Sequence, residues 1–250
     1  MNVIAPTATV GEGTTLGHFC VIEDGVALGA RCRIGHHVVL RAGTRIGDDV
    51  RIDDHAVVGK QPMRAANSAT TAGGDKPPAD IGSGTILGTG VVIYAGAVLG
   101  PRVLVADLAT IREDVTIGEG SIVGRGVAVE NVCTVGRFCK LETNAYVTAY
   151  STLEDRVFLA PGVVSTNDNF VGRTKERFKH FKGVTVRRGG RVGANATLLP
   201  GKVVGEDALV AAGAVLTKDA PPRRITVGSP ARDLRDVPEE QLLSNQGWDL

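Results

Sequence analysis

Aliphatic residues recur at every sixth position along most of this chain, in three runs whose register never slips. The first run is Ile4, Val10, Leu16, Ile22, Leu28, Ile34, Leu40, Ile46, Ile52 and Val58. The second is Ile81, Leu87, Ile93, Leu99, Val105, Ile111, Ile117, Val123, Val129, Val135, Leu141, Val147, Leu153 and Leu159. The third is Val186, Val192, Leu198, Val204, Val210 and Leu216, so thirty hexads account for 180 of the 250 residues. A period of six fits neither an amphipathic helix nor a simple alternating strand. It suits a coil of short strands, each turning one aliphatic inward, which is the signature of a parallel β-helix. The fourth residue after each aliphatic is usually small or β-branched, as at Thr14, Val26, Ala97, Val127 and Ala145, so each hexad sends two side chains inside. Three hexads make a turn of 18 residues, and thirty predict ten turns. At a strand spacing of about 4.8 Å the prism would stand roughly 45 to 50 Å tall.

Composition agrees with a narrow lumen. Aromatic residues make up only 4% of the chain and there are 33 glycines, as expected where wide rings do not fit and corners are tight. The 43% hydrophobic content supports a core built turn by turn, so residues 1–250 are expected to form a single domain. A net charge of +1 argues against nucleic-acid binding as a property of the whole chain. No 18-residue apolar stretch occurs and Met1 to Gly11 lacks the pattern of a leader, so a cytoplasmic protein without membrane contact is expected. Cys20, Cys32, Cys133 and Cys139 all occupy the small inward position of a hexad and lack C-x-x-C spacing, which makes them core residues rather than metal ligands or a disulfide framework.

Two breaks interrupt the repeat, and breaks in a solenoid are where binding loops leave the prism. The first, residues 60–80, is rich in Ala, Thr, Gly and Pro and reads equally as a mobile lid or a plain insertion. The second, residues 165–185, begins a basic stretch: Arg173, Lys175, Arg177, Lys179, Lys182, Arg187, Arg188 and Arg191 stand against Glu176 alone. With Phe170, Phe178 and Phe181 interleaved, it suits a ligand that carries both a base and phosphates. Asn167-Asp168-Asn169 at its root offers two amides and a carboxylate, groups able to orient the hydroxyls or amine of a sugar.

Hexads of the form Ile-Gly-x-x-Val-x, the basic insertion, the closing Val-Ala-Ala-Gly-Ala-Val-Leu-Thr-Lys-Asp (210–219) and Val-Gly-Ser-Pro-Ala-Arg (227–232) resemble the hexapeptide-repeat acyltransferases along nearly the whole chain. That resemblance implies a left-handed parallel β-helix, assembled as a homotrimer, with acetyl-CoA bound in a groove between subunits. Segments 107–113, 126–131, 142–146 and 166–169 resemble the N-acetyltransferases acting on nucleotide-linked 3-amino sugars. Carried onto this chain, the resemblance implies acceptor contacts at Glu142, Asn144, Asn167, Asn169 and Arg173, and acetyl-CoA contacts at Ala212, Gly213, Lys218, Arg224 and Arg232.

Residues 18 apart should lie one above another, which places Glu113, Asn131 and Asn167 in one column and Arg112, Glu130, Thr148 and Thr166 beside it. Four of the five histidines form the pairs His18/His36 and His37/His55 at the same spacing, none lies between Asp80 and His180, and the His-x4-His of the zinc carbonic anhydrases sharing this fold is missing. No metal is expected. An alcohol needs a positioned base before it attacks a thioester, whereas a sugar amine with its pKa below the ~10.4 of a lysine does not. Glu113 or Asp168 would then hold the amine, and Asn131 or a backbone N–H would steady the oxyanion. The expectation is an acetyl-CoA-dependent N-acetyltransferase; a sugar or serine O-acetyltransferase and a non-catalytic scaffold are the alternatives. Beyond Pro221 and Pro222, Asp236 and Glu239 predict a capping box opening a short helix through Leu243, within a cap over residues 220–250 that covers the last turn.

Overall fold

The computed structural model describes residues 1–71 and 73–248 and is built almost wholly of parallel strands two residues long. Within each pair the second residue points inward and the first outward, as in Thr110–Ile111 and Lys140–Leu141. The strands stack into three faces, here called A, B and C, containing 11, 10 and 12 strands. Registers run at the 18-residue offset that the hexads require, for example Thr110↔Ala128 and Ile111↔Val129 on face A. The coil is the left-handed parallel β-helix that the resemblance implied. Every hexad aliphatic from Ile22 to Leu216 is at most 5% exposed, whereas Ile4 and Val10 in the first turn are 44% and 41% exposed because no turn lies beneath them. One continuous hydrophobic cluster runs from Cys20 to Ala231.

The strand count exceeds the ten turns expected, and two local causes explain it. Ser165 continues the second run in an aliphatic's place: its Oγ accepts from Thr148 N at 2.8 Å and donates to Tyr146 O at 3.0 Å, so a hydroxyl 3% exposed is satisfied within the core. The strand pattern also resumes beyond Pro222, where Arg224–Val227 joins face C and pairs antiparallel with Arg232–Asp236.

The expected capping box does not form. Asp236 Oδ1 accepts from Arg224 Nη1 at 2.7 Å instead, and Pro238 precedes only two short 3-10 turns, Glu239–Gln241 and Leu243–Asn245. This segment runs back along the edge between faces B and C rather than over the last turn. Leu243 N donates to Asp207 Oδ1 at 3.2 Å, Arg191 Nη1 donates to Gln241 Oε1 at 3.0 Å, and Trp248 reaches Arg156. Burial sets that course, since Leu242 packs with Ile225, Val237 and Leu209. Residues 249–250 of the expected cap, like Ala72 of the first insertion, lie outside the described residues.

The four cysteines are free and at most 1% exposed, in the inward positions that their spacing predicted. Burial pushes the Cys133 and Cys139 thiols up to about 12 and about 11, which leaves them without thiolate character near neutral pH.

Candidate functional site

Both insertions leave the prism at one corner, where face A turns into face B. The first follows the strand Val57–Lys60 and the second follows Val164–Ser165, five strands further along face A. The corner segments between them carry Tyr94, then Arg112-Glu113, then Glu130-Asn131, then Thr148-Ala149. Their stacking is the predicted column, with Val132 N donating to Glu113 O at 3.1 Å and Tyr150 N to Asn131 O at 3.2 Å.

Glu113 is 1% exposed, and the Arg112 guanidinium grips it with both prongs, Nε to Oε2 at 2.8 Å and Nη2 to Oε1 at 3.0 Å. Arg112 Nη1 also donates to Glu130 Oε2 at 3.2 Å, and the guanidinium lies over the Tyr94 ring at 4.9 Å. The first insertion climbs this corner and closes over the cluster. Thr71 Oγ1 accepts from Arg112 Nη2 at 3.2 Å, Thr70 O accepts from Asn131 Nδ2 at 2.8 Å, and Lys76 Nζ meets Asp114 Oδ2 at 2.5 Å. Glu113 and Asn131 are therefore brought together as expected but are covered by that loop. Asn131 is 2% exposed, and its Oδ1 has no hydrogen-bond partner among the described residues.

The second insertion shapes an open cleft of about 610 Å³ against face A, lined by Tyr146, Thr148, Val164, Thr166, Asn167 and Asn169 among others. Asp168 holds the loop's own turn: Oδ1 accepts from Phe170 N at 2.8 Å and Oδ2 from Gly172 N at 3.0 Å. Arg177 Nε sits 2.9 Å from Asp168 Oδ2 as an ion pair whose geometry makes no hydrogen bond. Desolvation pushes the Asp168 carboxyl up, but those backbone N–H groups and Arg177 outweigh it and hold the group below the usual carboxylate range. A carboxylate so engaged is a poor proton acceptor, so its part is to shape the loop that presents Asn167 and Asn169.

The eight basic residues do not form one patch. Arg187, Arg188 and Arg191 lie at the edge between faces B and C, where Arg187 pairs with Glu154 and Arg191 with Gln241. On the loop, Arg177 is held by Asp168 and Lys179 by Glu176, while Arg173, Lys175 and Lys182 are exposed without an ion pair among the described residues. Glu142 and Asn144 stand at a different corner, between faces C and A, with Asn144 in the left-handed region at φ 60°. Ala212 and Gly213 share that corner, with Gly213 at φ 68°. Lys218 follows the last strand of face A, and Arg232 opens the terminal hairpin strand. Arg224 is committed to Asp233 and Asp236 at 2.8 and 2.7 Å, which takes it out of the free phosphate-binding cations. The histidine pairs stack at the C-to-A corner, His18 on His36 at 5.3 Å and His37 on His55 at 4.9 Å, far in sequence and turn from the cleft.

Glu130 is the residue that sequence reasoning passed over as a site. Burial raises its pKa first, Glu113 adds to that, and Arg112 and the adjacent Tyr146 hydroxyl oppose it, with the net direction upward. Tyr146 in turn lines the cleft, so Glu130 is a carboxylate with raised proton affinity directly behind the cleft wall. The 18-residue spacing puts Arg112 and Glu130 in one column of the sequence, but the burial that raises Glu130 comes from packing that the spacing does not show.

A model of the bacterial transferase hexapeptide (six repeats) matches residues 7–42, and a model of the hexapeptide repeat of succinyl-transferase matches residues 183–218. A putative serine acetyltransferase of Schizosaccharomyces pombe is 48% identical over 54 residues, 22% of this chain and 20% of that protein. The dTDP-3-amino-3,6-dideoxy-alpha-D-galactopyranose 3-N-acetyltransferase of Aneurinibacillus thermoaerophilus is 40% identical over 52 residues, 21% of this chain and 27% of that protein. This chain thus spans between 20% and 27% of the length of the first curated relatives it matches. The solved structure of Arabidopsis UDP-N-acetylglucosamine acyltransferase covers 98% of this chain and 75% of its own at a TM-score of 0.61 and 15% identity, a likeness of fold.

Glu113→Ala leaves Arg112 with Glu130 alone in a half-buried setting. The expected cost is about 3 kcal/mol, the lower end for removing one partner of a buried pair. Urea denaturation read by circular dichroism measures it, and a midpoint unchanged from the parent chain would show that the cluster contributes no stability.

Proposed function

We propose that this chain, a member of the hexapeptide-repeat transferases, moves an acetyl group from acetyl-CoA to the amine of a nucleotide-linked amino sugar. The observation that carries the reading is the cleft beneath the second loop. Asn167 and Asn169 line it, exposed Arg173 and Lys175 follow within the same loop, and Glu130 lies behind Tyr146 in its wall. Amides to orient a sugar, cations to meet a diphosphate and a carboxylate to meet an ammonium fit one ligand class together. The similarity to an amino-sugar 3-N-acetyltransferase supports the same acceptor.

The chemistry asks little of the protein beyond placement. The bound ammonium passes its proton by way of the Tyr146 hydroxyl to Glu130 behind it, the freed nitrogen lone pair attacks the thioester carbonyl, and a C–N bond forms as the carbonyl oxygen takes negative charge. Collapse of that intermediate breaks the C–S bond, and the departing thiolate takes the remaining extra proton from the newly acylated nitrogen, which leaves a neutral amide and CoA. The remaining imidazole on this loop, His180, is exposed and stands 3.5 Å from Glu176, not in the lining of the cleft. Asn131 can support the oxyanion only when the first loop lifts, because its Nδ2 now donates to Thr70 O.

A homotrimer is part of the proposal, and face A supplies its physical support. The outward residue that opens each of its eleven strands, from Val3 to Val215, is uncharged, and seven of them are valine. Such a strip favours association of flat sides about a threefold axis. Light scattering should give about 78 kDa, three times the 26.0 kDa chain, and a monodisperse active monomer would remove the trimer from the account.

Arg173→Ala and Lys175→Ala should each raise KM for the nucleotide sugar about 3- to 30-fold with kcat largely kept, as loss of uniform binding requires. Steady-state kinetics of both substrates decides it; constants untouched by both changes would return the loop to plain solvated surface. The value of kcat should also climb with pH along one limb, because Glu130 must be ionised to take the proton of the bound ammonium and an amine already neutral attacks without that transfer. Glu130→Gln should lower kcat about 100-fold, as for loss of a proton acceptor. A bell-shaped profile, or a Gln variant as fast as the parent, would count against this role.

A further inference from the structure

Outside the A-to-B corner, a second cleft of about 540 Å³ runs along the edge between faces B and C, closed on one side by the C-terminal segment. Its composition is unlike a plain packing groove. The Arg156 guanidinium lies over the Phe138 ring at 4.9 Å and over the Trp248 ring at 5.3 Å, so two aromatic rings and a cation meet in its lining. Lys140 and Arg191 add two further cations, against the carboxylates of Asp207 and Glu240. Asp207 accepts from Leu243 N at 3.2 Å; burial pushes its pKa up, and it is the carboxylate that partly offsets the charge of Arg191. Arg191 donates through Nη1 to Gln241, but its Nη2 is buried with no hydrogen-bond partner among the described residues. A buried donor without an acceptor is costly, and burial also works against the Arg191 charge. An anionic oxygen in the cleft would relieve both.

We propose that this cleft is a second binding site, for an aromatic anion of nucleoside-monophosphate size. The ring stacks on the Phe138–Arg156–Trp248 wall and the anion reaches Lys140 and Arg191. The volume lies within the range of small-ligand pockets, and the pairing of stacking faces with clustered cations favours a ligand bearing both parts over either part alone. The site stands on the side of the prism away from the acetyl-transfer cleft, and its test needs no acetyl-CoA, so it holds or fails independently of the proposed reaction.

Trp248 is the chain's one tryptophan, so tryptophan emission, excited at the red edge where the three tyrosines do not absorb, reports this cleft. Titration of the full chain with adenosine 5′-monophosphate should give a saturable change in emission, with a dissociation constant of about 1 mM or tighter. Adenosine and inorganic phosphate should each bind at least about tenfold more weakly. Arg191→Ala should weaken the nucleotide at least about tenfold, and Lys140→Ala, at an exposed position that leaves the fold undisturbed, about threefold. Emission indifferent to the nucleotide would overturn the site, as would two folded variants that titrate like the parent. Phosphate binding as tightly as the nucleotide would overturn the aromatic half of the proposal, and adenosine doing so would overturn the anionic half.

Discussion

Stacking of one turn on the next at an 18-residue offset is the constraint from which the rest of this molecule follows. Each turn gives each face only two residues, one inward and one outward, and its backbone groups are satisfied by the turns on either side, as where Ile122 N donates to Cys139 O at 2.8 Å. The inward place must be filled by a side chain of fixed size, which is why Ile, Leu and Val repeat and why Ser165 enters only with both of its hydrogen bonds made. A coil so regular has little room for chemistry on its faces. Irregular side chains gather at the corners and in the two segments released from the repeat.

Those two segments meet the prism at the same corner, and that coincidence makes a site. The first spends its polar groups on the corner itself, tying Thr70 and Thr71 to Asn131 and Arg112. The second folds around Asp168 and leaves its asparagines lining a cleft. Between them lie two carboxylates and one guanidinium, Glu113 buried and Arg112 and Glu130 half-buried. Arg112 neutralises Glu113 through a two-pronged contact and reaches Glu130 with one bond, while burial, with Glu113 beside it, raises the proton affinity of Glu130 against that bond. The same electrostatic arrangement that fixes the corner thereby creates a group able to take a proton.

The periodic part of this architecture was legible because periodicity is a local property of sequence. The inward positions, the 18-residue columns, the cysteines in the core and the two insertions all follow from counting sixes. What was not legible depends on where non-repeating chain goes. Nothing in residues 61–79 declares that Thr70 will reach Asn131, so Glu113 and Asn131 read as open when they are covered. Asp168 reads as a catalytic carboxylate, yet its neighbours at 170 and 172 claim both oxygens. The basic run reads as one patch, but resumption of the coil at Thr185 carries Arg187, Arg188 and Arg191 to another edge. The capping box failed because Asp236 had a stronger partner in Arg224, made available by an antiparallel hairpin that no hexad announces.

The central claim is that acetyl-CoA and an amine-bearing nucleotide sugar react here because the corner places the amine and needs no imidazole. The most direct measurement incubates the chain with acetyl-CoA and two matched nucleotide sugars, one bearing an amine and the other a hydroxyl at the same carbon, and follows products by mass spectrometry. The account predicts an acetamide on the amino sugar and no ester on its hydroxyl counterpart. Ester formation on the hydroxyl sugar, or free CoA released without either product, would contradict it.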